Sequence, residues 1–165
     1  MKVLLVDDEP FILQGLSVLI DWAAEGCEIV KMASNGKEAL LYLEDHEADL
    51  VITDIKMPVM SGLELLEQIR GRQISDAFFI ILSGYNDFSY AQKAIRYACM
   101  DYLVKPVQKE ALLELIRKAK SSLAVTEQNA ENERRMQEMQ LKQYIIALLR
   151  GKQNEEELKY VKERL

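Results

Sequence analysis

Five side chains in this sequence have the types and placement to act together on a charged oxygen group. Asp7 and Asp8 follow the apolar run Val3–Val6, and Asp54 follows Leu50–Thr53. Ser83 closes Phe78–Leu82, and Lys105 closes Tyr102–Val104. Three carboxylates drawn to one place cannot all stay ionised cheaply. A hard divalent cation removes that cost, and Mg²⁺ suits a site with few carboxylates, retained waters and phosphate oxygens. A hydroxyl and an ammonium beside it are the partners that a phosphoryl group needs. Each residue also has an ordinary reading. Asp7 or Asp8 could cap a helix starting near Pro10, Lys105 could be a surface lysine, and Tyr102 a half-buried core aromatic. Convergence of the set at one rim is what favours chemistry.

Convergence needs a frame. Val3–Val6, Ile29–Ala33, Leu50–Thr53, Phe78–Leu82 and Tyr102–Val104 read as strands. The central three are apolar without polar alternation, as expected for strands covered by helices on both faces. Helical patterns lie between and after them at Pro10–Trp22, Lys37–Glu44, Leu63–Arg70, Phe88–Ala98 and Glu110–Leu123. Their starts are marked by Pro10, Asn35-Gly36, Ser61-Gly62 and Asn86-Asp87. Five β-then-α units in series predict a doubly wound α/β fold of the flavodoxin-like class, a five-stranded parallel sheet in the order 2-1-3-4-5. In that order the first and third strands are neighbours. Asp7, Asp8 and Asp54 then meet beyond the carboxyl ends of the strands, where such sheets bind ligands.

Composition narrows the function classes. Of the net charge of -6, the whole excess lies in residues 1–124, because acidic and basic residues balance from residue 125 onward. Neither part supplies the positive surface that nucleic-acid binding draws on, so direct DNA binding by this chain is not expected. No apolar run approaches the roughly 20 residues of a membrane span. Cys27 and Cys99 form no metal-ligand or disulfide pattern, which suits a reducing, cytoplasmic setting. His46 stands in an acidic stretch without a second ligand and reads as surface. Residues 124–165 read as a C-terminal helical extension. Leu112, Ile116, Ala119, Leu123, Thr126 and Ala130 form a heptad-like seam that degrades at Arg134 and Gln137 and resumes at Leu141, Ile145 and Leu148. A coiled coil and a single exposed helix are both open, with Gly151 ending the helix and Asn154 with Glu157 opening a short last one.

Four segments resemble the receiver domain of two-component response regulators. They are Asp7-Asp8-Glu9, the run from Asp54 through Lys56-Met57-Pro58 to Ser61-Gly62, Leu82-Ser83-Gly84, and Asp101-Tyr102-Leu103-Val104-Lys105-Pro106. The resemblance covers residues 1–123, in order and at the family's spacing. It implies a phosphorylation-operated switch rather than an enzyme, with Asp54 accepting phosphate from a histidine kinase. It further implies Mg²⁺ on Asp7, Asp8, Asp54 and the Lys56 carbonyl. Ser83 and Lys105 would bind the phosphoryl group, and Ser83 with Tyr102 would form a switch pair in which the aromatic ring turns inward. Lys56 and Tyr85 resemble positions that tune phosphoryl lifetime.

The stretch from Ser83 to Ala91 and the later Leu148-Leu149-Arg150-Gly151 resemble regulators that end in an AraC-type DNA-binding region. That likeness implies a longer transcription regulator in which DNA is reached through a further C-terminal region. With the heptad-like seam, a homodimer through the C-terminal helix or the last receiver helices is expected. One departure from the family pattern is Ala98-Cys99-Met100, where a glycine would precede the last strand. Two other functions compete with this one. An aspartyl-nucleophile phosphatase like the haloacid dehalogenases would carry a second Asp two positions after the first, whereas Asp7 and Asp8 are adjacent. A receiver-like interaction module that is never phosphorylated is disfavoured by the intact set of Asp8, Asp54, Ser83 and Lys105.

Overall fold

The computed structural model describes residues 1–84 and 99–149. In chain order these hold β1 (Lys2–Val6), α1 (Pro10–Leu19), β2 (Glu28–Ala33), α2 (Gly36–Asp45) and β3 (Leu50–Asp54). Then come α3 (Gly62–Gly71), β4 (Phe78–Ser83), β5 (Asp101–Val104) and α4 (Lys109–Leu149). The expected helix Phe88–Ala98, with Tyr85 and Asn86-Asp87, lies outside the described residues. So do Gly151 and the expected final helix.

The strands form one parallel sheet in the order β2-β1-β3-β4-β5, as anticipated. The central strands β1, β3 and β4 are largely apolar because successive side chains face opposite layers and both layers are filled, whereas the edge strands β2 and β5 carry Glu28, Lys31 and Asp101. Leu5, Ile52 and Ile80 belong to one buried cluster with Leu16 of α1 and Ile116 of α4. Leu4, Val51 and Phe79 belong to the other, with Leu40 of α2 and Leu66 of α3. The register pairs Val6 with Thr53 across β1 and β3, and Asp54 with Leu82 across β3 and β4. The carboxyl ends of three strands are thereby brought level.

Helix α1 stops at Leu19, short of the expected Trp22, because Ile20 turns to extended backbone. The loop that follows folds inward. Trp22 is buried and its indole N–H donates to the Leu16 carbonyl at 3.1 Å. Apolar residues that continue a helical period are here core residues contributed by a loop. Neither Asp7 nor Asp8 caps α1: its N-cap is Glu9, without a side-chain cap. Helix α2 starts on Asn35, whose side chain accepts from the Glu38 N–H. The Lys31 ammonium at 2.8 Å and the Ser34 N–H and hydroxyl hold the Glu38 carboxyl down at about 2. A capping box starts α3, with Ser61 and Glu64 bonding reciprocally.

The chain divides into two units, Met1–Ser121 and Ser122–Leu165. Leu112, Ile116 and Ala119, which the sequence suggests as the start of a coiled-coil seam, are fully buried in the core of the first unit. They are therefore not available to a second helix. In the second unit the described side chains are almost all exposed, among them Met136, Met139, Leu141, Ile145 and Ile146. Among the described residues no helix is long and apolar enough to cross a membrane.

Candidate functional site

Asp7, Asp8 and Asp54 meet at the carboxyl ends of β1 and β3, where each places a carboxylate oxygen within 4.8 Å of the other two. Asp7 is 1 % exposed, and its Oδ1 accepts from the Glu9 N–H at 2.9 Å. Asp8 is exposed. The Asp54 side chain is 14 % exposed. Lys105, directly after β5, reaches both inner carboxylates. Its ammonium lies 2.8 Å from Asp7 Oδ2 and 3.0 Å from Asp54 Oδ1. A lysine that reads equally well as surface is thus the bridging cation of the cluster.

The electrostatics follow from that geometry. Burial pushes the Asp54 carboxyl above its ordinary range; the Lys105 hydrogen bond and charge pull it back, and Asp7 adds to the rise. Burial alone would lower Lys105, but its bonds to Asp7 and Asp54 leave it raised. One ammonium faces three carboxylates, so the cluster keeps an excess of negative charge. Three carboxylates at this spacing are a hard-oxygen donor set that fits a divalent cation such as Mg²⁺.

The remaining expected residues stand at the same rim or beside it. Ser83 is buried at the end of β4, and its carbonyl accepts from the Lys105 N–H at 2.7 Å. Tyr102 pairs with Ile81 across β4 and β5. It is 48 % exposed, so its ring is neither a core aromatic nor turned inward in this structure. Lys56 lies in the loop after β3 with an exposed side chain.

Three features of the Asp54–Gly62 loop were not anticipated. The Thr53 hydroxyl donates to the Asp54 carbonyl at 3.0 Å. The Gly62 N–H donates to the Ile55 carbonyl at 3.0 Å, closing the loop on itself. Val59 has φ 69° and is 83 % exposed. A β-branched residue in the left-handed region is strained by roughly 1–3 kcal/mol. Val59→Gly is therefore expected to raise stability by about 1 kcal/mol. An unchanged or lower urea midpoint would show that the loop relieves the strain by another route.

Residues 3–117 match the family model of the response regulator receiver domain. The transcriptional regulatory protein YesN of Bacillus subtilis is 39 % identical over 112 residues, 68 % of this chain and 30 % of that protein. The transcriptional regulatory protein HptR of Staphylococcus aureus is 42 % identical over 115 residues, 70 % of this chain and 44 % of that one. The chain thus spans less than half the length of these curated relatives. Among solved structures, the receiver domain of AraT, a response regulator from Geobacillus stearothermophilus, aligns with a TM-score of 0.70 and 39 % identity. That alignment covers 76 % of this chain and 97 % of that one. A two-component transcriptional regulator AraC from Clostridium phytofermentans aligns with a TM-score of 0.68 and 28 % identity, covering 75 % and 95 %.

Proposed function

Because the chain belongs, over residues 3–117, to the response regulator receiver domain family, we infer that Asp54 is its phosphoacceptor and that a histidine kinase is the donor. The observation that carries this reading is the placement of Lys105 between Asp7 and Asp54. It brings a cation and two carboxylates, from three separate strand ends, to one point. The Asp54 carboxylate is the nucleophile toward phosphorus: its O–P bond forms as the N–P bond of the kinase phosphohistidine breaks, releasing the imidazole and leaving an acyl phosphate. Lys105 is already beside Asp54 Oδ1, so its ammonium can move onto the new phosphoryl oxygens as the charge grows there. Asp7 and Asp8, with Asp54 and the Lys56 carbonyl, would hold Mg²⁺, which when bound offsets charge on the transferring group.

Ser83 supplies a hydroxyl at the end of β4, paired across the sheet with Val104, the residue before Lys105, and Tyr102 lies exposed on β5. A switch from outward to inward tyrosine, coupled to movement of the Ser83 hydroxyl onto the phosphate, would give the differential contacts that a population shift needs. The relatives' names carry transcriptional regulation to the parent protein as a proposal. DNA would be contacted by a C-terminal region of AraC type beyond these residues, in a cytoplasmic setting. The exposed Leu141 and Ile145, which stand on the seam read from the sequence, support pairing of the C-terminal helix with that of a second copy.

Incubation with Mg²⁺ and acetyl phosphate, followed by intact-mass measurement, tests the core of the reading. One phosphoryl adduct, labile to hydroxylamine and lost in Asp54→Asn, is expected. An adduct that persists in that variant would move the acceptor elsewhere. Multiple turnover of phosphoesters would favour the phosphatase, and absence of any adduct the inert module.

A further inference from the structure

The first residue of α2 grips the loop that follows the acceptor. Gly36 is buried, and its N–H donates to the Met60 carbonyl at 3.0 Å. A Cβ on Gly36 would stand 2.7 Å from that same oxygen, 2.8 Å from Met60 Cγ and 3.0 Å from the Ser61 carbonyl. Two of these three neighbours are backbone atoms, so no side-chain rotation could make room. The approach is close because α2 begins there without a side chain.

Both partners of the contact are held from behind. On the α2 side, Asn35 accepts from the Glu38 N–H, while Glu38 accepts from Ser34 and pairs with Lys31. On the loop side, the Met60 N–H donates to the Pro58 carbonyl at 2.8 Å around the strained Val59. The Gly62 N–H closes the loop on Ile55, whose own N–H donates to Leu82 of β4 at 3.2 Å. The loop from Asp54 to Gly62 is therefore fixed at two carbonyls, one by the start of α3 and one by the start of α2. Lys56 lies between Ile55 and Met60. With the second hold removed, the strain at Val59 would favour a different path for this stretch.

We propose that Gly36 is a positioning residue: by holding the Met60 carbonyl, the start of α2 sets the path of the loop after Asp54 and with it the geometry of the metal and phosphoryl site. The proposal rests on the reading of Asp54 as phosphoacceptor. Groups that orient metal ligands from behind typically change metal affinity about 10–100-fold when lost. Gly36→Ala in the full chain is therefore expected to raise the Mg²⁺ dissociation constant about 10-fold and to slow phosphorylation by acetyl phosphate. Amide shifts of residues 54–62 should move even without Mg²⁺, at a temperature where the variant is folded. A folded Gly36→Ala with wild-type Mg²⁺ affinity and rate would overturn the proposal. If the alanine variant does not fold, Glu38→Gln loosens the same turn without adding volume. Weaker Mg²⁺ binding in that variant supports the proposal, and equal binding overturns it. A wild-type chain that binds Mg²⁺ but takes no phosphate would defeat the acceptor reading, while the Mg²⁺ titration still decides the role of Gly36.

Discussion

Gly62→Ala is expected to destabilise the protein by about 3 kcal/mol, the upper range for overpacking, and to lose most of the phosphoacceptor activity. A Cβ at this position would stand 2.1 Å from the Asp54 carbonyl oxygen and 2.8 Å from the Thr53 hydroxyl oxygen. The first of these atoms is backbone and belongs to Asp54, the proposed acceptor, so relief requires β3 and α3 to move apart. Moving α3 disturbs Leu65, Leu66 and Ile69, all fully buried. Moving the end of β3 shifts Asp54 relative to Asp7 and Lys105. Urea unfolding gives the first quantity and the rate of adduct formation the second. Gly15→Ala is the comparison, since nothing lies within 4 Å of a Cβ there. In the middle of α1 it should stabilise by about 0.5–1 kcal/mol. A Gly62→Ala protein as stable as wild type would mean that the loop yields at little cost.

The sheet was legible because its strands obey a rule that sequence expresses directly. A strand covered on both faces is apolar at every position, and Leu50–Thr53 and Phe78–Leu82 have no other use for such runs. The acid cluster was legible for a related reason: a carboxylate at the end of a buried strand has nowhere to go but the rim. Apolar spacing, by contrast, records that a residue is buried and not what buries it. Ile20 and Trp22 fit a longer α1, yet they enter the core from a loop. Leu112, Ile116 and Ala119 fit a coiled-coil seam, yet the sheet covers them. The roles of Gly36 and Gly62 were hidden differently. A glycine before a helix reads as a start signal, and only the fold reveals which carbonyl approaches it. Tyr102 shows a further limit, because its outward position belongs to one state of a residue read from sequence as a switch.

Asp54→Asn is expected to be more stable than wild type at neutral pH without Mg²⁺, although it removes the proposed phosphoacceptor. Burial is the largest influence on the Asp54 carboxyl and raises it; Lys105 opposes and Asp7 reinforces, leaving a net rise. A carboxyl raised in the folded state binds more protons folded than unfolded across the window between its two values. Stability therefore falls as pH rises through that window. The window opens at the ordinary aspartate value of about 3.9, and the cost grows as pH rises from there and is complete above the raised folded-state value. Asparagine keeps the shape and an oxygen for Lys105 but carries no charge, leaving Lys105 to balance Asp7. The gain should be about 1 kcal/mol, as for other replacements that relieve a functional site, and should vanish below the window's lower edge, where wild-type Asp54 is protonated in both states. Added Mg²⁺ should stabilise wild type by mass action and narrow the difference. Melting curves at several pH values, each with EDTA and with Mg²⁺, would reveal all three effects. If the variant is less stable at neutral pH in EDTA, the Lys105 bridge outweighs the burial of the charge, and the metal-free site supports the fold. If it is more stable, the Asp54 carboxylate is held at the end of β3 against its own energetic preference by burial.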